Sequence, residues 1–235
     1  MLIVKELLMA RKRKFADARQ ETFETRKKIG FPSSPKNWKD AKANYSEHEL
    51  VINDHPVMED WESDYMQALA SIACSQGGKV LEVGFGMGIS SRYIQSHDID
   101  EHVIIEANSD VFDKLIKFAQ SAPGKVTPIF GFWQDVTKNL PDEMFDGILF
   151  DTYPLRESEV HKNHFDFFVE AYRLLKSGGI LTYYSDEIAD FSPDHKKALE
   201  GAGFQNIDKQ ICDVNPPEDC LYWKSKTIVA PIVRK

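Results

Sequence analysis

Apolar positions keep two different rhythms along the chain, and the change falls near residue 56. Over residues 2–28, Val4, Leu7, Leu8, Phe15 and Ala18 stand among many charges in a loosely helical spacing. GFPSSPKN (30–37) interrupts with proline and serine, the composition of a break between units. Over 56–75 the spacing of Trp61, Tyr65, Leu69 and Ile72 predicts a helix with one apolar stripe. Short runs rich in Val and Ile follow at KVLEV (79–83), HVIIE (102–106), KVTPIF (125–130), FDGILF (145–150) and GGILTYY (178–184). Helical spacing separates them at 87–95, 109–120, 133–139 and 157–176.

Strands alternating with helices make βαβ units and a parallel sheet. A short helix at 195–202 and strand candidates at 205–212 and 227–233 complete the pattern. The expected fold is α/β: a Rossmann-like sheet of seven strands, mostly parallel with the last antiparallel, behind an N-terminal helical extension. Residues 1–55 are read as a helical arm and active-site lid, and 56–235 as the catalytic domain.

Charge narrows the function. Residues 1–50 hold 12 Lys and Arg against 7 Asp and Glu, while the rest carries 17 against 30. So acidic a body repels phosphate backbones, which argues against nucleic acid and is compatible with a small cationic substrate. The run Arg11-Lys12-Arg13-Lys14 reads as a solvated helix face rather than a targeting patch. No apolar run reaches the ~18–20 residues that span a bilayer, and MLIVKELLMARKRKF reverses the charge order of a signal peptide. Three cysteines without metal-type spacing imply reduced thiols and a cytoplasmic setting. His161-x-x-His164 has no evident third ligand, so no metal is expected.

Strand 79–83 runs into LEVGFGMG (81–88), which alternates Gly84, Gly86 and Gly88 in a strand-to-helix turn. Glycines there let a ligand approach the backbone. A dinucleotide fingerprint needs a third glycine where Ile89 stands, and Glu82 would repel a pyrophosphate. An acid followed by alternating glycines suits S-adenosylmethionine, which carries an amino acid and a sulfonium but no phosphate. Glu106 ends the second strand, where it can take two ribose hydroxyls. Phe132 and Trp133 follow the third strand and fit either core packing or contact with an adenine ring.

FDGILFDTYP (145–154) ends a buried strand in a carboxylate, Asp151, at the edge where open α/β sheets bind ligands. A second acid, Glu62, lies between Met58 and Met66 at i±4 in VMEDWESDYM, so the expected helix puts all three on one face. A carboxylate on an apolar face is costly unless a cation or donor meets it. Two carboxylates beside a sulfonium suit a guanidinium, whose fork of N–H donors matches them. Methylating it requires a proton acceptor, the role read for Asp151, with Glu62 gripping the other nitrogens.

PVMEDWESDYM, GGKVLEVGFGMGIS, IDEHVIIEAN, LPDEMFDGILFDTYPL, RLLKSGGILTYY and NPPEDCLYW closely resemble the guanidinoacetate N-methyltransferase family, whose reaction is the last step of creatine biosynthesis. The resemblance runs in register from about Pro56 to the C-terminus. It implies a class I, S-adenosylmethionine-dependent methyltransferase in which Glu62 and Asp151 bind the guanidino group. It also implies cofactor contacts from Met58, Met66, Gly84, Phe85, Gly86, Met87, Gly88, Ile89, Glu106, Ala107, Asn108, Phe132 and Trp133. In the family an N-terminal tryptophan closes over the site, and Trp38 is the nearest candidate here. Thr152 and Tyr153 are read as walls of the substrate pocket.

One departure bears on the substrate. Where the family receives a substrate carboxylate on backbone N–H groups after the fifth strand, this chain has Asp186 and Glu187. Facing the substrate, they would repel a carboxylate and favour a far end that is neutral or cationic, as in arginine or agmatine; as solvated loop residues, they would leave guanidinoacetate as the substrate. Asp-Thr-Tyr-Pro also resembles the Asp/Asn-Pro-Pro-aromatic signature of adenine and glutamine amino-methyltransferases, without its first proline. A protein-arginine methyltransferase would share the acceptor group. A silent cofactor-binding module would need neither Glu62 nor Asp151. The expectation is a small guanidino substrate and a monomer or homodimer, with no nucleic-acid or membrane partner.

Overall fold

A computed structural model describes residues 20–235 apart from 22, 26 and 33. The basic run at 11–14 and most of the helical spacing over 2–28 lie outside the described residues. The helix Pro35–Lys39 opens on Ser34, whose hydroxyl accepts from Asn37 N, with proline at its first turn. Three short strands follow, β1 (Ala43–Tyr45), β2 (Glu49–Ile52) and β3 (His55–Glu59), paired antiparallel in that order. Asn53 and Asp54, with φ of +50° and +63°, turn β2 into β3, the geometry of a two-residue hairpin. This hairpin crosses residue 55, where the sequence placed the edge of the arm.

The stretch 56–62 is therefore not helical. A 3-10 turn, Asp60–Glu62, follows β3, and the helix occupies only Ser63–Ala73. Met58 and Glu62 do not share a helix face with Met66, which is fully buried in the core.

The main sheet is built from β4 (Lys79–Val83), β5 (Glu101–Glu106), β6 (Val126–Phe130), β7 (Phe145–Phe150), β8 (Leu175–Tyr183), β9 (Asn206–Asp213) and β10 (Thr227–Arg234). Their order is β6-β5-β4-β7-β8-β10-β9, with β10 antiparallel to both neighbours. Successive residues feed opposite layers, as strand geometry requires. Val80, Ile104 and Leu149 join the core under helix Ser63–Ala73, whereas Leu81, Val103, Ile105 and Ile148 join the core under Phe168–Leu174 and Pro193–Gly201. Gly147 allows β7 to pass directly beneath the first of these helices, because a Cβ there would lie 1.8 Å from Ala73 O. That approach fixes the helix that follows Glu62 against the strand that leads into Asp151.

The helix expected over 157–176 is confined to Phe168–Leu174. Before it, His161 has a left-handed backbone (φ +61°), and β8 takes the chain from Leu175 onward. Among the described residues no helix is long and apolar enough to cross a membrane.

Candidate active site

A cavity of about 380 Å³ opens along the C-terminal ends of β5, β4, β7 and β8, where this strand order reverses direction and open α/β sheets bind ligands. β4 delivers the glycine turn, and Asp151 N donates to Val83 O at 2.9 Å, so the tip of β7 is tied to β4. Gly84 has φ +94°, and a Cβ on it would stand 1.9 Å from Asp151 O. Side chains are excluded there by both conformation and contact. Gly84→Ala is expected to destabilise the fold by about 2–4 kcal/mol and to weaken cofactor binding, read by thermal unfolding and by calorimetric titration.

On the β5 side, Glu106 is buried but lines the cavity. Its Oε2 accepts from Phe85 N (2.9 Å) and its Oε1 from Asn108 N (2.7 Å), which locks the carboxyl across the glycine turn. Burial raises its pKa, opposed by backbone N–H donors from Phe85, Asn108, Ala107 and Gly86. Ala107, Phe132 and Trp133 line the same end. Trp133 also packs edge-on against Phe167, with ring centroids 5.1 Å apart.

Glu62, 2% exposed, also lines the cavity. Its Oε1 accepts from Glu59 N (3.0 Å) and forms a short hydrogen bond with the Tyr222 hydroxyl. Burial and the charge of Asp151 push its pKa up to about 8. Asp151 lines the cavity beside it, with Thr152 and Tyr153. The Tyr153 ring lies flat against Trp38, centroids 5.0 Å apart and planes 9° apart. Trp38 is thus brought over the cavity and buried there. Asn108 holds it in place by donating its side-chain amide to Trp38 O and Ala41 O, both at 2.8 Å.

The two acids after β8 part company. Asp186 is 3% exposed and lines the cavity, with Oδ1 3.2 Å from His161 Nδ1. Glu187 does not line it. Its Oε1 accepts from Ser192 N (2.9 Å) and lies 3.1 Å from His195 Nδ1 inside the protein. Neither acid is a solvated loop residue.

Five other expected cofactor residues are engaged elsewhere. Met66 and Ile89 are core, and Gly88 packs under the Phe85 ring. Met87 N donates to Met58 Sδ at 3.4 Å, so Met87 props Met58, which does line the cavity. Asn108 caps its helix by accepting from Val111 N and anchors the Trp38 segment. Glu82, expected to face the ligand, is wholly buried and bonds to the hydroxyls of Ser90 and Ser91, 3.0 Å from His102 Nε2. Sequence reasoning passed over Tyr222 and Tyr184, which line the cavity; the string NPPEDCLYW was the available signal for Tyr222. His161 and His164 diverge, one toward Asp186 and the other stacked on Tyr183. No group of three metal-ligating side chains exists among the described residues.

Seven lining side chains are acidic and one, Arg156, is basic; it is exposed and 3.8 Å from Glu159. That donor set suits a ligand with an amine and a sulfonium and opposes a phosphate. Fold and site together define a class I S-adenosylmethionine-dependent methyltransferase. Solved structures of the same fold include spermidine synthase in complex with the transition state analogue AdoDATO (TM-score 0.61, 13% identity, 82% of this chain and 72% of that chain). TYW2 of M. jannaschii in complex with AdoMet is another (TM-score 0.54, 14% identity, 83% and 85%). At these identities the likeness is one of fold.

The sequence model of the guanidinoacetate N-methyltransferase family matches residues 32–235, and the chain belongs to that family. Among curated relatives, protein arginine N-methyltransferase 2 of Yarrowia lipolytica is 34% identical over 149 residues, 60% of this chain and 30% of that protein. The Candida glabrata protein of the same name is 32% identical over 167 residues, 67% and 40%. The matched region spans less than half the length of either relative.

Proposed function

We propose that this methyltransferase acts on the guanidino group of a small molecule, with Asp151 accepting the proton and Glu62 clamping the remaining nitrogens. The observation that carries this reading is the pairing of Glu62 and Asp151 in the cavity that the glycine turn also lines. Burial and the charge of Asp151 raise the pKa of Glu62, and a planar cation held by both carboxylates would relieve that cost.

S-adenosylmethionine, when bound, supplies a methyl group on a sulfonium and leaves as a neutral thioether. Gly84, Gly86, Glu106 and Ala107 would hold it, with Phe132 and Trp133 at its adenine end. The guanidinium itself is a poor nucleophile, since ionising it fully at pH 7 costs about 8 kcal/mol for a pKa near 13. Asp151 removes that barrier by taking the N–H proton as the nitrogen acquires the methyl group. Glu62, fixed by Glu59 N and the Tyr222 hydroxyl, holds the group so that its reacting lone pair stays aimed along one line. Trp38, stacked on Tyr153 and lining the cavity, would put apolar surface beside the reacting groups.

The names of the curated relatives favour a second reading, in which the acceptor is an arginine of a polypeptide. The buried Trp38 in the cavity wall, stacked on Tyr153, supports the small molecule instead. A mass-spectrometric methylation assay with guanidinoacetate, arginine, agmatine and an arginine-containing peptide separates the two. Methylation of a free guanidine above the peptide is expected; methylation of the peptide alone would replace the first reading with the second.

A further inference from the structure

In the strand order β5, β4, β7, β8, the cavity receives in turn Glu106, the glycine turn, Asp151 and Asp186. Tyr184 N donates to Phe150 O at 3.0 Å, so the chain beyond β8 runs alongside the chain beyond β7. Asp186 therefore lies on the opposite side of Asp151 from the cofactor turn. A substrate whose guanidino group meets Glu62 and Asp151 must direct its other end toward β8.

We infer that Asp186 recognises this far end, and that the preferred substrate is a guanidine bearing a second cation, an amine, rather than a carboxylate. The inference rests on the proposed function. Asp186 is a nearly fully buried carboxylate on the wall of the cavity, where an anionic tail would meet it in a medium that screens charge weakly. Its neighbour His161 is also buried and turns Nδ1 to the Asp186 carboxylate, 3.2 Å away. Among the described residues the basic lining side chain is Arg156, exposed and beside Glu159, so none of them puts a buried Lys or Arg on the wall to receive a carboxylate. An ammonium group would instead gain a charge-assisted hydrogen bond. Glu187 takes no part, being turned to Ser192 and His195.

A matched pair of probes tests this: agmatine and 4-guanidinobutyrate, equal in chain length and opposite in tail charge. Wild-type kcat/KM is expected to favour agmatine by at least about tenfold. Asp186→Asn should shrink that preference by about ten- to a hundredfold, chiefly through a raised KM for agmatine, while kcat falls little. Asparagine tolerates the left-handed backbone at this position (φ +53°), and the wild-type ranking needs no variant. Equal or better use of 4-guanidinobutyrate by the wild type, or an unchanged ratio in Asp186→Asn, would overturn the assignment and leave the proposed function standing. Methylation of neither probe nor any other free guanidine, with cofactor still bound, would overturn both.

Discussion

Asp151→Asn is expected to lower kcat by about a thousandfold while leaving cofactor affinity within a few-fold of wild type. Asparagine has the shape of aspartate and still accepts a hydrogen bond from a guanidinium N–H. It cannot take the proton, and that is the function removed. Two contacts that build the site around this residue belong to its backbone: its N–H donates to Val83 O and its carbonyl stands against Gly84. Both survive the substitution, and asparagine is isosteric, so the larger loss is expected in the chemical step. Single-turnover methylation and calorimetric cofactor titration read the two quantities separately. A single-turnover rate near that of wild type would remove Asp151 from the role of proton acceptor. The variant also takes away a charge that raises the pKa of Glu62, so the pH dependence of substrate binding should move toward lower pH.

What the sequence disclosed depended on how much of each signal was local. The strands β4, β5 and β7 are buried on both faces, and such strands read as unbroken apolar runs. Asp151 and Glu106 were legible because each is the residue after or at the end of such a run. The stretch 56–62 was misread because Met58, Glu62 and Met66 happen to repeat at four, a helical interval. The competing signal lay just upstream, where Asn53-Asp54 between alternating apolar residues marks a hairpin. Glu62 reached the cavity all the same, carried there by a 3-10 turn that follows β3 directly instead of by a helix face.

Direction was the harder quantity. Glu82 is the last residue but one of β4 and points into the layer beneath helix Ser63–Ala73, while Glu106 closes β5 and faces the cavity. Glu82 pairs with Ile104, so Glu106 stands two residues further along the same face, and position at the strand tip rather than facing separates them. Asp186 and Glu187 do differ in direction, since these adjacent acids end on opposite sides of one loop. Tyr222 required tertiary information, because 160 residues separate it from the carboxylate it holds.

Glu62→Gln is expected to abolish most activity and at the same time stabilise the protein above neutral pH. In the folded chain the Glu62 carboxyl titrates at about 8, against roughly 4.3 when unfolded. Between these values the native state holds a proton that the unfolded state has released. The associated stability is complete below the unfolded value and is lost as pH rises through about 8. Glutamine never ionises, keeps an acceptor for Glu59 N and Tyr222, and escapes the loss. Its advantage should grow from pH 6 to pH 9 and reach on the order of 2 kcal/mol. Thermal unfolding of both proteins across that range measures it, and parallel curves would mean that Glu62 is not the group titrating. Activity moves the other way, by about a hundredfold or more, because the amide offers a guanidinium one acceptor and no charge. At neutral pH the arriving cation must also displace the proton from wild-type Glu62. Titration calorimetry in two buffers of different ionisation enthalpy should therefore report proton release of close to one per site in the wild type and none in Glu62→Gln. The same buried charge that weakens the fold is the charge that the substrate comes to neutralise.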